Sequence, residues 1–114
     1  MKVYRSKPLP SLCPIPGRNA RLVTVGLVQT RWYGCAETHR AQIHDGVSSC
    51  AAAGASVVFL PELTLSRYPA DAQPAGDADA AAEDLTAGES VVFAQQLARE
   101  CDVHVQISLF EKSE

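Results

Sequence analysis

The sequence lacks the features that mark membrane, secreted and metal-binding proteins. No apolar run approaches the roughly 18 residues that a membrane helix needs, and the start has no short apolar core of a secretory signal. The four cysteines form no Cys-x-x-Cys pair and no metal-finger spacing, so they are expected to be reduced thiols. These absences favour a cytoplasmic protein with no membrane partner and no metal site.

Aromatic residues are scarce, at 6% of the chain, whereas apolar residues make up 46% and charged residues 20%. This composition is typical of an ordinary globular domain. It excludes a disordered chain, which would carry fewer apolar residues. A chain of 114 residues can bury one modest core.

Acidic residues are missing from the first 36 positions. Six of the ten basic residues precede the first acid, Glu37: Lys2, Arg5, Lys7, Arg18, Arg21 and Arg31. A basic arm could bind nucleic acid or act as a transit peptide. However, the prolines between these charges prevent a shared amphipathic element, so no nucleic-acid partner is expected. We predict a flexible proline-rich extension over residues 1–20 and a globular part over residues 21–114.

Apolar periodicity predicts three strands. Residues 22–28 and 56–60 are continuous apolar runs, typical of strands buried on both faces. Residues 103–109 alternate between apolar and polar. Pro61 ends the second strand because proline cannot donate to a sheet ladder.

Two helices are predicted between these strands. The first follows apolar residues from Ile43 onwards and ends at Gly54. The second follows a long acidic loop over residues 70–88, and Thr86 and Glu89 have the spacing of a capping box at its start. Four apolar residues define the face of this second helix: Phe93, Leu97, Ala98 and Cys101.

The resulting β-α-β-loop-α-β order predicts an α/β fold with right-handed crossovers and a mainly parallel sheet. Three strands alone make a poor domain, so we expect the chain to be part of a larger sheet. Glu62 follows the second strand, at the carboxyl edge where ligands of open α/β sheets gather. Its position alone is also consistent with an ordinary loop charge.

The string around Glu62 carries a family resemblance. Residues 54–63 (GASVVFLPEL), followed by Tyr68-Pro69, resemble the nitrilase-superfamily segment in which a helix ends in Gly-Ala and a buried strand closes in Pro-Glu. The strand that ends in Gln29 is similar to the first strand of that family. Over residues 21–114, the chain therefore resembles the N-terminal portion of a carbon–nitrogen hydrolase.

The resemblance implies the N-terminal part of an α-β-β-α sandwich and a Glu-Lys-Cys triad without a cofactor. Glu62 matches the glutamate, which takes the proton of the cysteine thiol. Neither Lys112 nor any cysteine of this chain matches the positions of the other two triad members. The implied partners are a small-molecule amide, carbamoyl amide or nitrile and, for the full-length protein, further copies of itself.

Three residues depart from the pattern or stand close to it. His39 stands where the family often has asparagine, and a capping or packing role is favoured over a ligand role. Arg67 replaces a common glycine and is a candidate to bind a substrate carboxylate, although a solvent-facing role is also consistent with its position. Tyr68 is expected to pack against the loop.

Two other functions remain open at this point. A nucleotide-binding βαβ module would need a glycine-rich phosphate turn after the first strand, and residues 29–35 supply only Gly34. A catalytically inactive fragment or interaction module is the other alternative, because one triad member cannot hydrolyse a substrate alone.

Overall fold

The structure is a computed structural model that describes residues 1–7, 23–68 and 81–112. The elements run in the order β1 (Val25–Leu27), α1 (Ala36–Ala52), β2 (Val57–Phe59), α2 (Glu89–Cys101) and β3 (His104–Gln106). All five predicted elements are present, although each strand is shorter than its apolar run. Most of the predicted acidic loop lies outside the described residues.

The three strands form one parallel sheet in the order β1-β2-β3. Val58 of β2 lies between Gly26 and Val105 of the neighbouring strands. The predicted α/β class and the parallel sheet are confirmed. Both crossovers contain a helix, as parallel neighbours require.

Helix α1 ends as the sequence predicts. Gly54 has a φ of +89°, which is accessible to glycine without a steric cost. The Gly54 amide donates to the Ala51 carbonyl at 2.8 Å, and the Ala55 amide donates to the Cys50 carbonyl at 3.0 Å. These two bonds form a Schellman motif, which satisfies the last carbonyls and turns the chain toward β2.

The predicted capping box at the start of α2 is wrong. The N-cap is Gly88, without a side-chain capping bond. Thr86 instead lies in the turn just before Gly88. Its amide donates to Asp84 Oδ1 at 2.6 Å, and its hydroxyl donates to the same oxygen. These bonds from Thr86 lower the pKa of the Asp84 carboxyl. The side chain that caps α2 is Glu83, which accepts from the Ser90 amide and the Ser90 hydroxyl, each at 2.6 Å.

The core lies between one face of the sheet and the two helices. Its buried residues come from all three strand regions and both helices: Val28, Ile43, Val47, Ala55, Val58, Leu60, Phe93 and Leu97, with Val103 and Val105 partly buried beside them. His44 Nε2 lies 2.9 Å from Glu100 Oε2, which joins the solvent sides of α1 and α2. None of the described helices is long and apolar enough to cross a bilayer.

The first seven residues contact α1. The Met1 amino group pairs with Asp45 at 2.8 Å, and the Arg5 guanidinium donates to the Ala53 carbonyl at 3.2 Å. Residues 8–20 lie outside the described residues, so the flexible extension over 1–20 stays a prediction.

Candidate active site

The carboxyl ends of the three strands meet at one edge of the sheet. The Val28 amide donates to the Phe59 carbonyl at 3.0 Å, and the Leu60 amide donates to the Gln106 carbonyl at 3.1 Å. These bonds carry the parallel pairing one residue beyond β1 and one residue beyond β2. Glu62 follows two residues after Leu60 and is exposed to solvent. The carboxylate therefore stands at the edge where an open α/β sheet binds ligands.

Glu62 begins a tight turn that Thr64 organises. Thr64 is 2% exposed, and its polar groups are bonded to separate parts of the structure. Its hydroxyl donates to the Pro61 carbonyl at 2.8 Å, within the turn. Its amide donates to the Ser108 carbonyl at 3.0 Å, just beyond β3. The residue thus anchors the turn to the sheet while it closes the turn around Glu62.

Leu63, between Glu62 and Thr64, has a φ of +48°. An L-residue other than glycine or asparagine is strained in this left-handed region, at a cost of roughly 1–2 kcal/mol. The Ser66 amide donates to the Leu63 carbonyl at 3.0 Å and fixes the far side of the turn. Such strain persists only where the surrounding contacts over-determine the backbone, and the bonds of Thr64 and Ser66 supply those contacts.

A side chain from α1 completes the turn. His39 lies in the first helical turn and is 5% exposed, and its Nε2 is 2.8 Å from the Thr64 carbonyl. Trp32 packs on the imidazole with ring centroids 4.5 Å apart, and Tyr33 lies at 6.2 Å. The packing role expected for His39 is present, together with a hydrogen bond that the sequence did not predict.

The bond to Thr64 sets the role of one ring nitrogen of His39. Because a carbonyl oxygen only accepts, Nε2 is the donor in this bond. Nδ1 is buried and has no hydrogen-bond partner among the described residues. A buried polar atom left unpaired costs about 1–3 kcal/mol, so the histidine is a costly way to fill this space by packing alone.

The other candidate residues are Arg67, Tyr68 and Lys112. Arg67 and Tyr68 are exposed and follow the turn directly. Lys112 lies beyond β3, where its amide donates to the Glu83 carbonyl at 2.9 Å. The roles of Glu62 as proton acceptor and Arg67 as a substrate contact stay predictions.

The pKa values of two thiols, Cys35 and Cys50, are shifted in opposite directions. Cys35 is the exposed N-cap residue of α1, and the backbone amide of Thr38, its hydroxyl and the amide of Glu37 lower the pKa of this thiol. Burial raises the pKa of the Cys50 thiol, which faces the core from α1. Within residues 1–7, 23–68 and 81–112, no three His, Cys, Asp or Glu side chains are grouped to hold a metal ion.

Sequence reasoning found Glu62 but missed the contacts that shape its turn. Thr64 carried no signal of its own because it is a single polar residue between two leucines. A burial prediction for Thr64 would have required knowing that the chain folds back onto Ser108. The pairing of His39 with Thr64 joins residues 25 positions apart and follows only from the tertiary fold.

Comparison with known protein families identifies the family of this chain. Residues 24–114 match the family model described as carbon-nitrogen hydrolase. This range includes all three strands, both helices and the Glu62 turn. No match to an individual curated protein was found.

Proposed function

Because this chain belongs to the carbon–nitrogen hydrolase family, we propose that it supplies the acid/base carboxylate, Glu62, for hydrolysis of a non-peptide amide or nitrile. The single observation that supports this role most is the position of Glu62. It is an exposed carboxylate on a fixed turn at the carboxyl edge of the parallel sheet. The lysine and the nucleophilic cysteine are assigned to no residue of this chain.

The proposed reaction on an amide begins with proton transfer. Glu62 accepts the proton of the cysteine thiol, and the thiolate attacks the carbonyl carbon, since the thiolate is the effective nucleophile. The lysine stabilises the oxyanion of the tetrahedral intermediate. When the carbon–nitrogen bond breaks, Glu62 returns its proton to the leaving nitrogen, and a thioester remains on the cysteine.

The second half of the reaction uses the same carboxylate. Glu62 takes a proton from water as the water oxygen attacks the thioester carbon, and the carbon–sulfur bond then breaks. The acid leaves, and the thiolate recovers a proton from Glu62. Because one carboxylate serves both halves, it has to stay within hydrogen-bonding reach of each atom with which it exchanges a proton.

The substrate class follows from the family and from no single residue here. Amides, carbamoyl amides and nitriles all fit the reaction, and we propose amides because amidases are the broader group. Arg67 is the candidate contact for a substrate carboxylate, because guanidinium groups bind carboxylates in a bidentate manner.

The test is the substitution Glu62→Gln in the full-length protein, with Glu111→Gln as the matched control. An amide cannot accept the thiol proton, so we expect Glu62→Gln to lower turnover about a hundredfold or more. Glu111 is also exposed and lies beyond β3, so its substitution should leave turnover close to wild type. Steady-state release of ammonia from a panel of amides and nitriles measures both, and Glu62→Gln activity above about a tenth of wild type would remove Glu62 from the role.

A further inference from the structure

We propose that His39 and Thr64 are positioning residues that hold the Glu62 carboxylate in its reactive geometry. This inference rests on the proposed function of Glu62. It adds to that function a specific device: a strained turn whose shape is imposed from the first helix and from the end of the third strand. Neither residue needs to touch the substrate for this role.

The turn has three independent attachments, and Thr64 is common to all of them. Its hydroxyl reaches back to Pro61, its amide joins the chain beyond β3 at Ser108, and its carbonyl accepts from His39 on α1. The residue is buried, so these bonds are shielded from competition by water. A displacement of Thr64 would therefore displace Glu62, which is two positions away.

The attachments of Thr64 keep the strained backbone of Leu63 in place. Leu63 directly follows Glu62 and has the left-handed backbone conformation that leucine disfavours. If the attachments were lost, Leu63 would relax toward negative φ and redirect the backbone that carries the carboxylate. Strained residues of this kind occur where surrounding structure fixes a functional group.

The imidazole of His39 contributes more than packing. An aromatic hydrocarbon ring would fill the space against Trp32 without the buried Nδ1 nitrogen, which has no hydrogen-bond partner within the described part of the chain. What the imidazole adds is the Nε2–H bond to the Thr64 carbonyl. The positioning role is therefore assigned to that donor, and it can be separated experimentally from the ring.

The experiment compares His39→Phe and His39→Gln in the full-length protein. Phenylalanine keeps a ring against Trp32 and removes the donor, whereas glutamine keeps an amide N–H close to the place of Nε2 and removes the ring. We expect His39→Phe to lower kcat about tenfold or more with KM changed by less than about threefold, because misplacement of a reacting group acts on the chemical step. His39→Gln should recover most of that loss. Equal losses in the two variants would overturn the assignment to the donor.

A second pair of variants decides the question if His39→Phe does not fold. Thr64→Ser keeps the hydroxyl that bonds Pro61, and Thr64→Ala removes it with a minimal change in volume. We expect Thr64→Ser to retain wild-type kcat and Thr64→Ala to lower it about tenfold. Loss of kcat in both, or in neither, would contradict the role of the hydroxyl.

The substitution Leu63→Gly tests the strain itself. Glycine adopts the left-handed conformation without a steric cost, so the turn no longer needs the His39 bond to stay in place. In the His39→Phe background, Leu63→Gly should recover at least about threefold in kcat if relief of strain restores the geometry of the carboxylate. A purely structural role for His39 would give no recovery.

Glu62→Gln in the same assay distinguishes the positioning role of His39 and Thr64 from the acid/base role of Glu62. If Glu62→Gln is inactive and His39→Phe and Thr64→Ala both retain wild-type kcat, the positioning inference fails and the proposed function stands. If Glu62→Gln retains activity, the proposed function fails and the positioning inference fails with it.

Discussion

Cys35 and Cys50 are thiols at the two ends of one helix, in opposite environments. Hydrogen bonds from Thr38 favour the thiolate at the exposed Cys35, and burial disfavours it at Cys50. Since the thiolate is the species that reacts with alkylating reagents, the two residues should react in a fixed order.

We predict that iodoacetamide labels Cys35 before Cys50. As the pH is raised, the labelling rate of Cys35 should begin to increase at a lower pH than the labelling rate of Cys50. The direction follows from the pKa, because a thiol with a lowered pKa has a larger thiolate fraction at any given pH than a thiol with an ordinary pKa. Peptide mass spectrometry after timed labelling measures each site separately. Thr38→Ala, which removes the hydroxyl bond, should slow labelling of Cys35 near neutral pH and leave Cys50 unchanged. Faster labelling of Cys50 would contradict the prediction.

The sequence indicated that Glu62 follows the second strand at the carboxyl edge of the sheet, but not how its turn is held there. Pro61 and Glu62 form a local signal, because both follow an apolar run that ends at the sheet edge. Leu63 gives no local signal for positive φ, since its conformation is imposed by the Ser66 bond to its carbonyl and by the bonds of Thr64 to Pro61 and Ser108. Its conformation depends on pairings that a single sequence does not display.

At the scale of elements, α1 packs closely on β1 because Gly26 has no side chain. A methyl group at Gly26 would lie 2.7 Å from Cys50 Cβ and 2.9 Å from Cys50 Sγ. We therefore predict that Gly26→Ala destabilises the protein by about 1–3 kcal/mol, the usual cost of overpacking a filled core. Denaturant unfolding measures the loss.

A double substitution checks the cause of that loss. Cys50→Gly removes both atoms that the added methyl group would meet, so Gly26→Ala should cost clearly less in this background than in the wild type. If the cost is the same in both backgrounds, the close approach of α1 to β1 is not its source.

The two helices also show where sequence signals suffice. The end of α1 was predictable because Gly54 and its Schellman bonds are local, within five residues along the chain. The start of α2 was not, because Thr86 and Glu89 have the right spacing but Thr86 is engaged by Asp84. The capping carboxylate of Glu83 comes from seven residues before Ser90, beyond any short motif.

Within residues 1–7, 23–68 and 81–112, the sheet has one face covered by the helices and one exposed face. Among the described residues, both helices lie on the face that carries Val28 and Val58. On the opposite face, β1 and β2 present exposed apolar side chains: Leu27 is 75% exposed, Val25 50% and Phe59 40%. Strand β3 adds the polar residues His104 and Gln106 to this face. The family resemblance predicts that this face packs against a second sheet in an α-β-β-α sandwich. An apolar surface of this kind promotes association when nothing covers it.

We predict that the isolated 114-residue chain self-associates through this face. Sedimentation velocity over a range of concentrations should show mass increasing with concentration, and Val25→Thr with Leu27→Thr should reduce that increase. Val92→Thr is the matched control, because Val92 is similarly exposed but lies on α2. A monodisperse monomer with a cooperative thermal transition would contradict the prediction.

Whether Glu62 accepts the thiol proton is decided by the first turnover of the full-length protein. Rapid quenching followed by intact-mass measurement detects the acyl group on the nucleophilic cysteine. We predict that wild type and Glu111→Gln form this thioester within the first turnover, and that Glu62→Gln forms it at least about a hundredfold more slowly. Thioester formation in Glu62→Gln at the wild-type rate would contradict the account.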